Sequence, residues 1–212
     1  MKTSLKFAAA LLAGTTLSAP AIAQDVSFNA GVTSNYIWRG VTQTNDNPAF
    51  QAGADLGFDS GFYLGTWASN VDFGDDTSYE WDIYGGYAGE ANGIGYDVGY
   101  IAYIYDGNED LDFAEVYASI GTAGLSFSMA YQVDNDGDED FNHLYYNLGY
   151  ETEIGAYTVG ISAGIYDYDG DNADEVNDYA LTISKDEFTL AITDTDLTDA
   201  DPEVSLSYGI EF

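Results

Sequence analysis

The sequence predicts an all-β protein: a transmembrane antiparallel up-and-down β-barrel of about twelve strands, following an N-terminal signal peptide. Three observations carry this reading. Apolar and polar residues alternate through successive stretches, as in strands with one apolar and one polar face. The connections between these stretches alternate between short and long. The chain also ends on such a stretch, with an aromatic as its last residue.

Residues 1–23 read as a cleavable leader. Lys2 and Lys6 form a basic start, Phe7 to Ala13 an apolar run, and Ala21-Ile22-Ala23 an A-x-A cleavage site. The run is too short for a membrane helix. The expected mature chain is therefore a single barrel domain over 24–212, exported to the outer membrane of a Gram-negative bacterium.

Twelve strands are predicted over 25–39, 48–58, 62–71, 79–88, 94–105, 112–120, 125–132, 142–151, 156–166, 178–184, 188–193 and 204–212. The first carries Val26, Phe28, Ala30, Val32, Tyr36 and Trp38 on its apolar face. The second carries Phe50, Ala52, Ala54, Leu56 and Phe58. In the third, Tyr63, Trp67 and Val71 compete with Phe62, Leu64 and Ala68 for that face. The fourth sets Tyr79, Trp81 and Ile83 against Glu80 and Asp82. The fifth presents Ile94, Tyr96, Val98, Tyr100, Ala102 and Ile104, and the sixth turns Glu115 to its polar side. The seventh shows Leu125, Phe127, Met129 and Tyr131. The eighth directs His143, Tyr145, Asn147 and Glu151 to the polar face. The ninth offers Tyr157, Val159, Ile161, Ala163 and Ile165. The tenth and eleventh rest on spacing. In the twelfth, Val204, Leu206, Tyr208, Ile210 and Phe212 oppose Ser205, Ser207, Gly209 and Glu211.

Short turns are expected at 59–61, 89–93, 121–124, 152–155 and 185–187, and longer links at 40–47, 72–78, 106–111, 133–141, 167–177 and 194–203. Outer-membrane barrels sort their connections this way, with short periplasmic turns and longer external loops. A soluble β-sandwich has no reason to do so. An even strand number puts both termini on the periplasmic side and lets the first strand pair with the last, which removes the free edges that lipid would not tolerate. The last strand, through Tyr208, Ile210 and Phe212, also resembles the C-terminal signal read by the barrel-assembly machinery.

Composition narrows the function. The formal net charge is −33, and loss of the two leader lysines leaves only Arg39 and Lys185 as strong bases. Nothing neutralises phosphates, so nucleic acid is excluded as a partner. An apolar fraction of 46%, 19 Tyr and 11 Phe argue against a disordered acidic chain. There is no Cys, which excludes disulfides and Cys-based metal or redox sites.

Three segments resemble a known family. They are Thr33-Ser34-Asn35-Tyr36-Ile37-Trp38-Arg39-Gly40-Val41-Thr42-Gln43-Thr44, Pro48-Ala49-Phe50-Gln51-Ala52-Gly53, and Gly61 to Asp72. With Glu80, Asp82, Tyr84, Gly86-Tyr87, Glu115 and Tyr117, they resemble the TorF family of porins over about 28–120. The chain departs from that pattern at Trp38, before the Arg-Gly pair, and at Tyr105-Asp106-Gly107. The resemblance implies an outer-membrane barrel and passive transport, and it supplies no substrate.

Strand facing places Arg39 and seven acids in the lumen: Asp55, Glu80, Asp82, Asp97, Glu115, Glu151 and Glu211. Arg39, Glu80, Asp82 and Glu115 fall in the outer half, the others nearer the periplasm. Two readings stand: a constriction that shapes the field of a pore, or an ion-pair network that plugs the barrel. The loops carry Asp134, Asp136, Asp138 and Asp140, then Asp167, Asp169 and Asp171. These are weak calcium-site candidates beside the plainer reading of a solvated acidic loop, because their order is not that of an EF-hand. No cofactor is expected. His143, the sole histidine, and Asn147 share one face; a lipid hydrolase would need them outside, whereas both point to the lumen. Tyr36, Trp38, Tyr79, Trp81, Tyr150 and Tyr208 read as interfacial girdle residues.

The resulting expectation is a monomeric barrel that passes small solutes by diffusion, is seated in outer-membrane lipid and lipopolysaccharide, and prefers cations. The alternative is a closed barrel with a structural, ligand-binding or adhesion role through its acidic loops. A leader cut after Ala23 predicts that protein from outer-membrane fractions has an intact mass beginning at Gln24. A mature chain that keeps Met1, or a soluble periplasmic location, would overturn the leader and the barrel together.

Overall fold

The computed structural model describes residues 25–135, 143–168, 175–198 and 200–212, so the expected leader lies outside them. The strands are β1 Asp25–Thr33, β2 Ile37–Trp38, β3 Val41–Thr42, β4 Ala49–Gly57, β5 Phe62–Asn70, β6 Tyr79–Ala91, β7 Ile94–Tyr105, β8 Phe113–Thr122, β9 Leu125–Asn135, β10 His143–Ile154, β11 Tyr157–Tyr168, β12 Val176–Lys185, β13 Phe188–Thr195 and β14 Glu203–Glu211. Twelve of them, β1 and β4 to β14, form one closed barrel in which every neighbour in space is also a neighbour along the chain or across the seam. All pairs are antiparallel. β1 bridges the seam, since Ala30 faces Ile210 of β14 and Ala52 of β4.

The apolar faces point outward. Phe50 is 72% exposed, and Phe62, Leu64, Val98, Ile120, Leu148, Ile161 and Leu206 also stand on the surface. In water such a surface would be costly. Against hydrocarbon it is the stable side, because the backbone groups of a closed barrel are all paired within the sheet. Tyr79, Trp81, Tyr150 and Tyr208 belong to this outer surface. The third predicted strand resolves in favour of Phe62 and Leu64 outside, with Trp67 and Val71 buried.

The first predicted strand is too long. β1 stops at Thr33, where the chain leaves the wall and turns into the barrel. Tyr36 and Trp38 are therefore neither lipid-facing nor girdle residues: Tyr36 is buried inside, and Trp38 packs on Tyr103 and Tyr166. Alternation cannot distinguish a strand that continues from a hairpin that folds back with the same period, and β2 with β3 is such a hairpin.

The connections sort by end. Asn92-Gly93 and Ala123-Gly124 are two-residue turns with positive φ at both positions, the geometry that matches strand twist in tight hairpins. At the opposite end lie the long links. One of them is tied down by Asp196, which accepts bonds from the Asn177 side chain and backbone N–H at 2.7 Å each, holding its carboxyl below the usual range.

Closure joins the two chain ends. The Phe28 N–H donates to the Phe212 carbonyl and the Phe212 N–H to the Phe28 carbonyl, both at 2.9 Å. The two rings stack with centroids 6.0 Å apart. Burial of one such ring in lipid is worth about 1.5–3 kcal/mol, a small part of the whole barrel. Deletion of Phe212 should nonetheless lower the folded protein in membranes severalfold, because Tyr208, Ile210 and Phe212 are expected to serve as the assembly mark. Wild-type amounts after the deletion would contradict that role.

Candidate functional site: the barrel interior

Residues 34–47 connect β1 to β4 and fill the long-loop half of the interior. Asn35 organises the entry. Its Oδ1 accepts the Thr42 and Thr44 hydroxyls at 2.6 and 3.2 Å, and its Nδ2 donates to Asp46 and Glu203 at 2.9 and 3.1 Å. The Thr33 hydroxyl donates to the Asn35 carbonyl. These bonds tie the segment to itself and to β14 where it leaves the wall. The hairpin β2–β3 then turns at Arg39 and Gly40, with φ of 48° and 82°. A Cβ on Gly40 would lie 3.0 Å from the Asp178 Cβ and 3.2 Å from the Thr195 Cβ. Glycine thus serves both the left-handed turn and the close approach to β12 and β13.

Arg39 locks this segment to the far wall. Its guanidinium donates to both Glu115 oxygens, at 2.8 and 2.7 Å. It lies 4.1 Å from the Trp38 ring centroid, 4.2 Å from Tyr145 and 5.2 Å from Tyr166. A planar cation can bond in its plane and stack on its faces at once, which an ammonium cannot. Tyr103 donates a further bond to Glu115. On the other side the Tyr36 hydroxyl donates to Glu80 at 2.9 Å, and its ring meets Trp67 edge-on at 5.5 Å. Tyr36, Ala49, Trp67 and Val71 form a buried cluster inside the barrel, flanked by Trp38, Tyr84 and Tyr105.

Asp82 lies between these two anchors. It pairs across the sheet with Trp67 and Tyr103, is only 5% exposed, and its buried Oδ1 meets no donor. The sequence reading put Arg39 at the end of the first strand, in the same outer half as Glu80, Asp82 and Glu115. The structure corrects this: Arg39 stands on the hairpin turn rather than on a strand, and its bonds go to Glu115. A guanidinium fixed in a bidentate pair cannot serve three carboxylates.

The short-turn half is more open. Asp55 accepts from Tyr84 at 2.5 Å and from Asn29 at 3.3 Å. Asp97 accepts from Tyr63 at 2.7 Å, and the Tyr63 and Tyr117 hydroxyls share a short hydrogen bond. Glu151, opposite Gly160, and Glu211, opposite Asn29, occupy interior positions by register. Glu211 is exposed at the rim. The acids inferred to line the lumen thus separate into a dry group in the long-loop half and a half-solvated group in the short-turn half.

Three features escaped the sequence reading. Asp178 is buried on β12 and accepts from Tyr145. Its alternation with Ala180 and Thr182 was available as a signal. Glu203 was visible only as the start of the last strand. The inward course of 34–47 had one local clue, the Arg39-Gly40 pair. Of the calcium candidates, Asp134 and Asp167 are exposed on β9 and β11. Asp136, Asp138, Asp140, Asp169 and Asp171 lie outside the described residues, among which no group of three or more metal-binding side chains gathers. The His143 ring rests against Tyr166, with centroids 4.8 Å apart, and Asn147 donates to the Tyr145 hydroxyl. Both belong to the interior, away from the lipid face.

An apolar outside, a carboxylate-rich inside and sorted connections define a barrel of the porin-like outer-membrane type. The chain belongs to a family described as "Bacterial protein of unknown function (Gcw_chp)", whose model matches residues 18–209. That description does not carry the TorF name. Among solved structures, "KdgM porin" is similar with 13% identity over 88% of this chain and 98% of that one, at a TM-score of 0.54. "KdgM porin in complex with disordered oligogalacturonate" is similar over 88% and 97%, with 13% identity and a TM-score of 0.51. LpxR from Salmonella typhimurium follows at 11% identity, 88% and 99% coverage and a TM-score of 0.47. At these identities the likeness is one of fold alone. No curated protein matches the chain by sequence.

The Arg39–Glu115 geometry predicts the outcome of its removal. Breaking a buried pair and leaving one charge behind costs roughly 3–5 kcal/mol. Arg39→Ala should lower the unfolding midpoint of the refolded barrel accordingly, and Arg39→Lys should recover only part of it. An unchanged midpoint in Arg39→Ala would show that the pair does not hold the segment.

Proposed function

We propose that the protein is an outer-membrane channel for passive diffusion of small solutes, with cations preferred and no catalytic step. In this reading the short turns and both termini face the periplasm, the long loops face outward, and one chain suffices. The observation that carries it is the interior charge. Asp55, Glu80, Asp82, Asp97, Asp178, Glu151 and Glu211 join Glu115 on interior positions, and among the described residues the one interior guanidinium, Arg39, is already held by Glu115. Carboxylates in excess over bases inside a low-dielectric wall focus potential and concentrate cations, as acidic rings do in other channels. The same field opposes an anionic polymer, so oligogalacturonate, which accompanies KdgM, is not the solute proposed for this chain.

The second reading is a closed barrel with a structural, ligand-binding or adhesion role through its acidic loops. It draws support from the packed outer half, where Glu80, Glu115 and Ile37 are almost inaccessible to water. The two readings differ in whether hairpin 34–47 leaves a path. A channel requires passage beside the hairpin or its displacement from the Arg39–Glu115 pair. Acyl hydrolysis has less support, because His143 and Asn147 stand away from the lipid face.

Planar-bilayer recordings decide between them. The channel reading predicts a reversal potential of cation sign in a potassium chloride gradient, declining as salt rises, since screening shortens the field to about 8 Å at physiological ionic strength. Anion preference would overturn the interior assignment. Complete absence of conductance would favour the closed barrel.

A further inference from the structure

Near the long-loop end, beside the hairpin, the interior contains a cavity of about 280 Å³. Its walls are mainly aromatic: Trp38, Phe73, Tyr105 and Phe113 line it. These rings form a continuous series. Phe73 meets Tyr105 at 5.7 Å, Tyr105 meets Phe113 at 6.5 Å, and Phe113 meets Trp38 at 6.1 Å. The series runs from the link between β5 and β6 to Trp38, which stacks on Arg39.

The polar lining comprises Gln43, Asp110, Gln132 and His143. Gln132 lines the cavity, is 1% exposed, and its Oε1 is buried without a hydrogen-bond donor. Such an orphan is costly unless something donates to it. The terminal torsion of a glutamine is soft, so a small rotation turns the amide to the cavity. Asp110, on the short turn Glu109–Leu111, adds a carboxylate to the same lining. The nearby guanidinium of Arg39 is held by Glu115.

We infer that this cavity binds one uncharged pyranose ring. Aromatic faces carry negative quadrupole density and attract the partly positive C–H face of a sugar. The hydroxyls supply the donor that Gln132 Oε1 lacks. The volume is below the roughly 300–1,000 Å³ of drug-sized pockets, which suits a single ring. Asp110, a carboxylate in the same lining, rejects a uronate. The inference rests on the channel reading for its purpose, since a weak site beside the mouth would admit neutral sugars ahead of anions.

Titration of the refolded protein in detergent, followed by tryptophan fluorescence, tests the site without requiring conductance. D-glucose should give a saturable change, and D-galacturonate at matched ionic strength should give none. Gln132→Leu should weaken glucose about tenfold, the scale of one lost hydrogen bond that leaves a polar group unpaired. Asp110→Asn, on an exposed turn outside the barrel wall, should keep glucose binding and gain galacturonate binding, which decides the matter even where Gln132→Leu does not fold. No saturable glucose signal, equal affinity in Gln132→Leu, or galacturonate excluded as before in Asp110→Asn would overturn the inference. Saturable glucose binding by a barrel that conducts no ions would sink the channel reading and leave the site standing.

Discussion

The ion pair between Arg39 and Glu115 is the contact on which the interior depends. Without it the hairpin of residues 34–47 would hang from β1 and β4 by its ends, with a buried charge at its tip. Charge pairing alone would be a weak fastening, since desolvation consumes much of the Coulomb gain. What makes it effective here is the combination of two in-plane bonds to Glu115 with stacking on Trp38 and Tyr145. The Tyr36 bond to Glu80 holds the same segment to the opposite wall. The hairpin is therefore spanned across the barrel, and the interior divides into a packed long-loop half and a more open short-turn half.

The lipid solvent explains why the remainder looks inverted. Hydrocarbon outside rewards Phe50, Leu64 and Ile161 on the surface, and the polar groups turn inward, where they must find partners among themselves. Tyrosine meets this need well, because it fills space with a ring and donates one hydrogen bond. Tyr36, Tyr63, Tyr84, Tyr103 and Tyr145 each direct a hydroxyl to an interior carboxylate. The abundance of Tyr in a chain nearly devoid of Lys and Arg follows from this: with few bases available, phenols satisfy the acids.

The barrel was legible in the sequence because a period of two, repeated with sorted connections, admits few other folds. Phe28, Phe50, Leu125 and Ile161 all sit on the face their alternation assigns. Glu80 and Asp82 were equally readable, since Tyr79, Trp81 and Ile83 leave them no other side. Tyr36 and Trp38 were not, for the same physical reason in reverse. A hairpin that folds inward keeps the alternation of the strand before it, and only the positive φ of Arg39 and Gly40 tells them apart. The partnership of Arg39 with Glu115 rather than Asp82 depends on three-dimensional reach, which spacing along the chain does not encode.

The central claim is that residues 34–47 lie folded inside the barrel. The chain has no cysteine, so single cysteines report without background. Ile37, 2% exposed inside the hairpin, and Asn47, exposed at its exit, are ten positions apart on the same segment. Reaction of Ile37→Cys and Asn47→Cys with a membrane-impermeant thiol reagent on the refolded protein is the most direct test. The seated hairpin predicts rapid labelling at position 47 and labelling at least tenfold slower at position 37, with the protection lost when Arg39→Ala is added. Equal rates at the two positions in the otherwise unaltered barrel would mean that the segment lies outside the lumen, and the account of the interior would fail.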